Sequence, residues 1–144
     1  MNRVPPILFF LISSLCLNPV IAYEIYGPPK EVHEALTKLS YRSGIRKAVA
    51  ELLKDSPLKR TNTSKSLQNI LKTLESFYGD ARGHEVLKVK YISRNVCRVY
   101  GVLNFEKGPA YFSIDFYLSK DDWIVVDIEI AFKPQDILPK RLYQ

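Results

Sequence analysis

Residues 85–132 read EVLKVKYISRNVCRVYGVLNFEKGPAYFSIDFYLSKDDWIVVDIEIAF, and this stretch decides the fold. Four runs within it, residues 85–93, 96–105, 110–118 and 123–132, are rich in β-branched and aromatic residues, which favour strands. Each of the first three runs ends at a turn signal, and the links between runs are too short for a parallel crossover. The sequence therefore predicts a four-stranded antiparallel meander.

Successive side chains of a strand point to opposite faces, so each run divides into two sets. The third run has one apolar set: Ala110, Phe112, Ile114, Phe116 and Leu118. If alternation is unbroken, the fourth run contributes five residues to the same face: Ile124, Val126, Ile128, Ile130 and Phe132. It puts on the opposite face Trp123, Val125, Asp127 and Glu129. The second run gives the apolar face Cys97, Val99, Gly101, Leu103 and Phe105. One apolar and one mixed face is typical of a sheet covered on one side only.

The first run is less decided than the other three. Its two sets are Leu87, Val89 and Tyr91 against Val86, Lys88, Lys90 and Ile92.

The beginning of the chain predicts export. Residues 1–22 combine Arg3, an apolar stretch and small residues at the spacing of Val20 and Ala22, the pattern of a cleaved signal peptide. The apolar stretch is short and interrupted by prolines, so we expect no transmembrane segment after cleavage. The mature product would be periplasmic or extracellular.

Two segments between the signal and the strands show helical spacing. The first runs from Val32 to Leu53 with a weak point at Ser43-Gly44, so one kinked helix or two short helices would fit. The second carries a stripe of Leu67, Ile70, Leu71, Leu74 and Phe77. Together with the strands, these segments predict an α+β fold: N-terminal amphipathic helices packed on one face of a curved four-stranded antiparallel meander. We expect one domain over residues 23–133 and an irregular tail over 134–144.

This order of elements resembles the cystatin-like, nuclear-transport-factor-2-like superfamily, and most closely its small secreted bacterial members without assigned function. The motifs that carry the resemblance are Asp55-Ser-Pro-Leu58, Phe77-Tyr-Gly79, Arg98-Val-Tyr100, Glu106-Lys-Gly-Pro109, Phe116-Tyr117 and Trp123 before Val125-Val126. The resemblance covers residues 30–132 and implies the fold. It does not identify an activity, because the superfamily hosts isomerases, cyclases, hydrolases and binding modules. It also implies that dimerisation through the sheet is common.

The titratable residues give little support for catalysis. The strand carboxylates Asp115, Asp127 and Glu129 fall on the mixed face, where we expect them to be solvated. His33 and His84 have no cysteine or carboxylate at ligand spacing, so the sequence predicts no metal site, no cofactor and no catalytic residue. Cys97, on the apolar face, is predicted to be a buried and inert thiol.

Aromatic residues on the mixed face form the candidate binding surface. They are Tyr100, Tyr111, Tyr117 and Trp123, accompanied by Val102 and Val125. An exposed patch of this kind often marks a partner surface, and the alternative is a set of cross-strand pairs that stabilise the sheet locally. The strand carboxylates could meet Arg98 and Lys88 of a second copy, which favours a homodimer.

The sequence thus predicts an exported, non-catalytic binding or interaction module. It would hold a small apolar ligand between helices and sheet, or pair through its open sheet face as a homodimer or with an envelope protein. The alternative is a small isomerase- or cyclase-type enzyme that uses an acid in the pocket. The net charge of +6 at pH 7 is spread along the chain without interleaved stacking aromatics, so we do not expect nucleic acid as a partner.

Overall fold

The computed structural model describes residues 30–39 and 44–144. These residues form three α-helices and then four strands, so the α+β fold class is as predicted. The helices are α1 (Lys30–Leu39), α2 (Gly44–Leu52) and α3 (Thr63–Tyr78), and the strands are β1 (Ala81–Ser93), β2 (Val96–Phe105), β3 (Pro109–Ser119) and β4 (Asp122–Ala131). The predicted signal peptide, residues 1–22, lies outside the described residues. The tail predicted to be irregular contains two short 3₁₀ helices, Pro134–Asp136 and Lys140–Leu142.

The sheet is the predicted antiparallel meander, with strand order β1-β2-β3-β4. We call the face covered by the helices the inner face and the opposite face the outer face. The inner side chains of β3, Phe112, Ile114 and Phe116, are buried, as predicted. The ring of Phe112 lies directly over Gly101 of β2, where even a Cβ would clash with it. The central strands therefore form the floor of the core.

Helix α3 covers this floor with a narrower stripe than the sequence predicts. Leu67, Leu71 and Leu74 are buried, but Ile70 and Phe77 are exposed. At about 100° per residue, the three leucines fall within a sector of about 60°, and positions 70 and 77 lie roughly 40–60° beyond its edge. Phe77 instead makes an edge-to-face contact with Phe132, beyond the end of β4.

A β-bulge changes the faces of β4. Asp115 pairs with Asp127 but the next residue, Phe116, pairs with Val125, so Val126 is an extra residue without a partner. A bulge shifts the alternation by one position. Val125 is consequently 1% exposed in the core, and Val126 is 37% exposed. The prediction that Ile124 and Val126 face the helices, with Trp123 and Val125 opposite, is wrong for this half of the strand.

Strand β1 is longer and less regular than predicted. It begins at Ala81, so His84 belongs to the strand and not to the preceding loop. Its register shifts at three exposed positions, Arg82, Leu87 and Ile92. The shift at Leu87 allows Val86 and Val89 to pack against the same core, contrary to the predicted split between them.

Candidate functional site

The space between helices and sheet is filled by side chains. The cavity that remains there has a volume of about 20 Å³ and an entirely apolar lining, with residues from α1, α2, α3 and the three strands β2, β3 and β4. A cavity needs roughly 10–15 Å³ to hold one water molecule. In the described conformation this space accommodates about one water-sized group, which is much smaller than a ligand.

A larger cavity, of about 210 Å³, lies beside the edge strand β4. Its lining is mainly polar and includes four carboxylates, Glu34, Glu51, Asp55 and Asp122, and the ring of Trp123. The ion pair with Lys38, 3.1 Å from Glu51, lowers the pKa of the Glu51 carboxyl. Glu51 is therefore an anion at neutral pH, which is unsuitable for a general acid.

The cavity wall is fixed by Ser56, a residue of the Asp55-Ser-Pro-Leu58 motif. The Ser56 hydroxyl donates to the Val125 carbonyl at 2.6 Å and accepts from the Leu58 N–H at 3.0 Å. It thus caps the 3₁₀ helix Pro57–Arg60 and satisfies the edge-strand carbonyl immediately before the bulge residue, Val126. The chemical signal for this role was the serine before a proline, which is typical of a helix N-cap.

The four predicted binding residues do not share one surface. Tyr117 is 43% exposed on the outer face and Tyr111 is half-buried there. Tyr100 lies on the outer face by its pairing with Lys88 and Ser113, but only 7% of it is exposed. Trp123 lies on the inner side and packs against the core, with its ring 6.2 Å from that of Tyr91. The prediction that Trp123 joins the tyrosines is wrong, because of the bulge.

Two hydrophobic residues are buried outside the main core cluster. Tyr100 and Leu138 are the buried hydrophobic residues of the described chain that do not belong to the main core cluster. Leu138 lies between the two 3₁₀ helices that follow β4. The C-terminal segment is therefore anchored to the domain and is not a solvated tail.

Charged residues in two neighbouring rows of the outer face are separated by sign. In the strand register, Lys90, Arg98, Asp115 and Asp127 form one row across β1 to β4. The next row is Lys88, Tyr100, Ser113 and Glu129. Within these two rows, lysines occupy the β1 edge and carboxylates occupy the β4 edge. Glu85, further along β1 on the same face, accepts a hydrogen bond from the Asn104 side chain at 2.7 Å.

The centre of the first row is an internal ion pair. Arg98 Nε and Nη2 each donate to one carboxylate oxygen of Asp115, both at 2.5 Å. The two-pronged geometry is the strong form of this interaction. Asp115 is therefore not the freely solvated group that the sequence predicts, and Arg98 is satisfied within its own chain. Lys90 and Asp127, at the two ends of the row, remain exposed, and the Asp127 carboxylate accepts from the Ile128 N–H at 2.9 Å.

Two histidines that are distant in sequence meet at the junction of α1 and β1. His33 Nδ1 lies 3.2 Å from His84 Nε2, and the ring centroids are 5.5 Å apart. Partial burial, with a smaller contribution from the charge of His33, lowers the pKa of His84. Sequence spacing gave no signal of this pair, because 51 positions separate the two residues and the predicted first strand begins after His84, at residue 85.

Cys97 is buried, as predicted, and burial raises the pKa of its thiol to about 12. No group of three or more histidine, cysteine or carboxylate residues within 30–39 and 44–144 is arranged to hold a metal ion. Among the same residues, the structure contains no helix with the length and apolarity needed to cross a membrane.

Comparison with known proteins does not add a family assignment. No protein-family model matches the sequence, and a search of curated proteins finds no match.

Proposed function

We propose that this protein is an exported, non-catalytic interaction module of the nuclear-transport-factor-2-like kind, and that it forms a homodimer through the outer face of its sheet. The observation that carries the proposal is the separation of charge on that face. Lys88 and Lys90 lie on one edge strand, and Asp127 and Glu129 lie on the other. A surface with both signs on opposite sides can complement a second copy of itself.

The charge pattern selects one orientation of the dimer. A two-fold axis that runs parallel to the strands, between two facing sheets, places β1 of one protomer over β4 of its partner. Lys90 then faces the partner's Asp127, and Lys88 faces the partner's Glu129. An axis perpendicular to the strands would place like charges over one another, which is unfavourable. The first arrangement is therefore the one we propose.

The size of the face indicates a weak dimer. Four strands spaced by about 4.8 Å, with ten residues rising about 3.3 Å each, give an area of roughly 600 Å². A standard interface buries about 800 Å² on each partner. Tyr117 and Val126 supply exposed apolar surface at one end, while Tyr100 is already buried within the chain. We expect reversible association that depends on protein concentration and on salt.

Two features favour this proposal over the alternatives considered for the sequence. The existing cavity between helices and sheet has a volume of only about 20 Å³, so a ligand would have to enlarge it and disrupt the packing of the core. A general acid needs a pKa raised towards neutrality inside a pocket. Burial raises the pKa of the Glu75 carboxyl, with help from Asp80, but Glu75 lines neither the cavity between helices and sheet nor the cavity beside β4.

Charge reversal tests the homodimer. The acidic variant carries Lys88→Glu and Lys90→Glu, and the basic variant carries Asp127→Lys and Glu129→Lys. Sedimentation velocity over a range of concentrations should show a reversible dimer for the wild type and a monomer for each variant alone. An equimolar mixture of the two variants should dimerise again, because every facing pair is then of opposite sign.

A matched control separates this effect from a general change in net charge. Lys65→Glu with Lys72→Glu makes the same charge change on exposed positions of α3 and should leave dimerisation unchanged. Tyr117→Arg should weaken the dimer without affecting the fold. A wild type that stays monomeric at the highest concentration, together with a mixture that does not associate, would overturn the homodimer. In that case a photo-crosslinker at position 117 in cells would test for an envelope protein as the partner.

A further inference from the structure

The excess positive charge of the chain is concentrated in one segment, and the expectation that it is spread along the chain is wrong. Residues 44–72 contain seven lysines and arginines and two carboxylates, which gives this segment a charge of +5 out of the +6 of the whole chain. The segment comprises α2, the 3₁₀ helix Pro57–Arg60 and most of α3. All seven cationic residues are exposed: Arg46, Lys47, Lys54, Lys59, Arg60, Lys65 and Lys72.

The fold gathers these seven residues on the side of the molecule that faces away from the sheet. Helices α2 and α3 pack against each other, and their buried residues line the same small apolar cavity above the sheet. The exposed sides of both helices therefore point away from the sheet. The 3₁₀ helix packs against α3, so Lys59 and Arg60 extend the same surface. We call the surface formed by the seven cationic residues the basic helix face.

Few negative charges oppose the basic helix face. Within the described part of the chain, the seven cationic side chains form no ion pair. The two carboxylates of the segment, Glu51 and Asp55, line the cavity beside β4 together with Lys54, and Glu51 is paired with Lys38. Glu75, the one carboxylate of α3, is half-buried. The surface therefore keeps a positive potential that attracts anionic partners.

Helix α3 exposes apolar side chains next to these charges. Phe77 is 68% exposed, the largest value for a large hydrophobic residue in the described chain, and Ile70 is 39% exposed. At about 100° per residue, the exposed arc of α3 runs from these two residues to Lys65 and Lys72. The positions between them are uncharged: Ser66, Asn69, Thr73 and Ser76. Lysines beside exposed apolar side chains are typical of a helix that lies in the interfacial region of a membrane.

We propose that the basic helix face binds the surface of a bilayer that contains anionic phospholipids. The lysines and arginines contact lipid phosphates, and Phe77 enters the interfacial region beside them. Charge complementarity selects an anionic partner, and the exposed Phe77 and Ile70 select a bilayer, because a soluble polyanion offers no apolar environment for them. This binding is independent of the proposed dimer, because the helices cover the inner face of the sheet and the dimer uses the outer face.

Sedimentation with vesicles tests the proposal directly. The purified protein, at low concentration and low ionic strength, is mixed with sucrose-loaded vesicles of phosphatidylcholine alone or of phosphatidylcholine with one-third phosphatidylglycerol. The protein should sediment with the anionic vesicles and stay in solution with the neutral ones. Salt at about 0.5 M should release it, because the Debye length then falls to a few ångströms. Equal recovery in both pellets, or recovery in neither, would overturn the proposal.

Paired substitutions locate the binding surface. One lysine or arginine near an anionic bilayer changes binding roughly fivefold, so Lys65→Gln with Lys72→Gln should weaken it about 25-fold. The matched control, Lys88→Gln with Lys90→Gln, makes the same change in net charge on the outer face. Because that face lies further from the bilayer and is screened by salt, the control should weaken binding less than about twofold. The melting temperature of each exposed double variant checks that it folds. An equal loss of binding in the control would show that net charge governs binding and would overturn the site.

Phe77 distinguishes a bilayer from a soluble polyanion as the partner. Phe77→Ser should weaken sedimentation with the anionic vesicles several-fold, because the apolar contact with the interfacial region is lost. The same variant should be retained on a heparin column as strongly as the wild type, because heparin contacts only the cationic residues. Its melting temperature checks that the loss of the contact with Phe132 leaves the domain folded. If Phe77→Ser binds the vesicles as tightly as the wild type, the surface recognises negative charge alone and the bilayer is overturned as its partner.

Discussion

The inner and outer faces of the sheet are made by the same four strands, but different forces organise them. On β3, Phe116 is completely buried under the helices, and its neighbour Tyr117 is 43% exposed on the other side. The inner face is a close-packed apolar surface in which each side chain has a fixed place. The outer face is organised by charge, with the internal Arg98–Asp115 pair at its centre and oppositely charged edges. Substitutions should therefore have large effects inside and small effects outside, unless the outer face is an interface.

The largest expected effect is that of Phe116→Ala. Truncation of a buried phenylalanine costs about 3–5 kcal/mol, a large part of the stability of a small domain. Tyr117→Ala, one position along the same strand, should change the free energy of unfolding by no more than about 0.5 kcal/mol. Urea titration of the monomer at low protein concentration measures both. Comparable losses at the two positions would show that the two faces do not differ as described.

The β4 bulge predicts the next largest difference, between two adjacent valines. Val125→Ala removes two buried methyl groups and should cost about 2–3 kcal/mol, including the cavity it leaves. Val126→Ala, at the exposed bulge residue, should change stability by less than about 0.5 kcal/mol. Regular alternation predicts the reverse order. The same urea titrations therefore determine whether the bulge is present in solution.

Ser56→Ala tests what holds the bulged edge in place. The variant loses an N-cap and leaves the buried Val125 carbonyl without its hydroxyl donor, so we expect a loss of about 1–2 kcal/mol. Ser66→Ala, an exposed change of the same kind on α3, serves as the control and should be nearly neutral. If Ser56→Ala is as mild as the control, the hydrogen bond from Ser56 does not contribute to the stability of the edge.

The bulge also shows how far the sequence predicts this structure. Alternation correctly predicted the faces of β2 and β3. In both strands, only one assignment of alternate residues to the two faces keeps the polar side chains out of the core. Residues 123–126 read Trp-Ile-Val-Val, and either phase of this segment would bury apolar side chains. Local hydrophobicity cannot choose between them. The actual phase places Val125 in the core and is accompanied by the hydrogen bond from Ser56, which is 69 positions away in sequence.

The same reason explains the outcome for the candidate sites. The charges on the outer face follow directly from alternation and were predicted, whereas Trp123 was placed incorrectly because its face depends on the bulge. The contact between His33 and His84 was missed because it depends on the packing of α1 against β1. Contacts within one strand or between adjacent strands are thus accessible from sequence here, and contacts between layers are not.

The smallest expected effect concerns one such contact between layers, and it appears as a pH dependence. The pKa of His84 is lowered in the folded protein by partial burial and by His33, so the unfolded chain binds a proton more readily. The contribution of His84 to the free energy of unfolding is fully present at pH values above the ordinary histidine pKa of about 6.5. It is lost as the pH falls through the lowered pKa of the folded state. The free energy of unfolding of the wild type, measured with a chelator present, should therefore fall more between pH 7.5 and 5.5 than that of His84→Gln. The raised pKa of Glu75 acts in the opposite direction, but both proteins contain it and it cancels in the comparison. Equal slopes of the free energy of unfolding against pH for the two proteins would mean that the pKa of His84 is the same in the folded and unfolded states. The junction of α1 and β1 would then not hold His84 in the described environment.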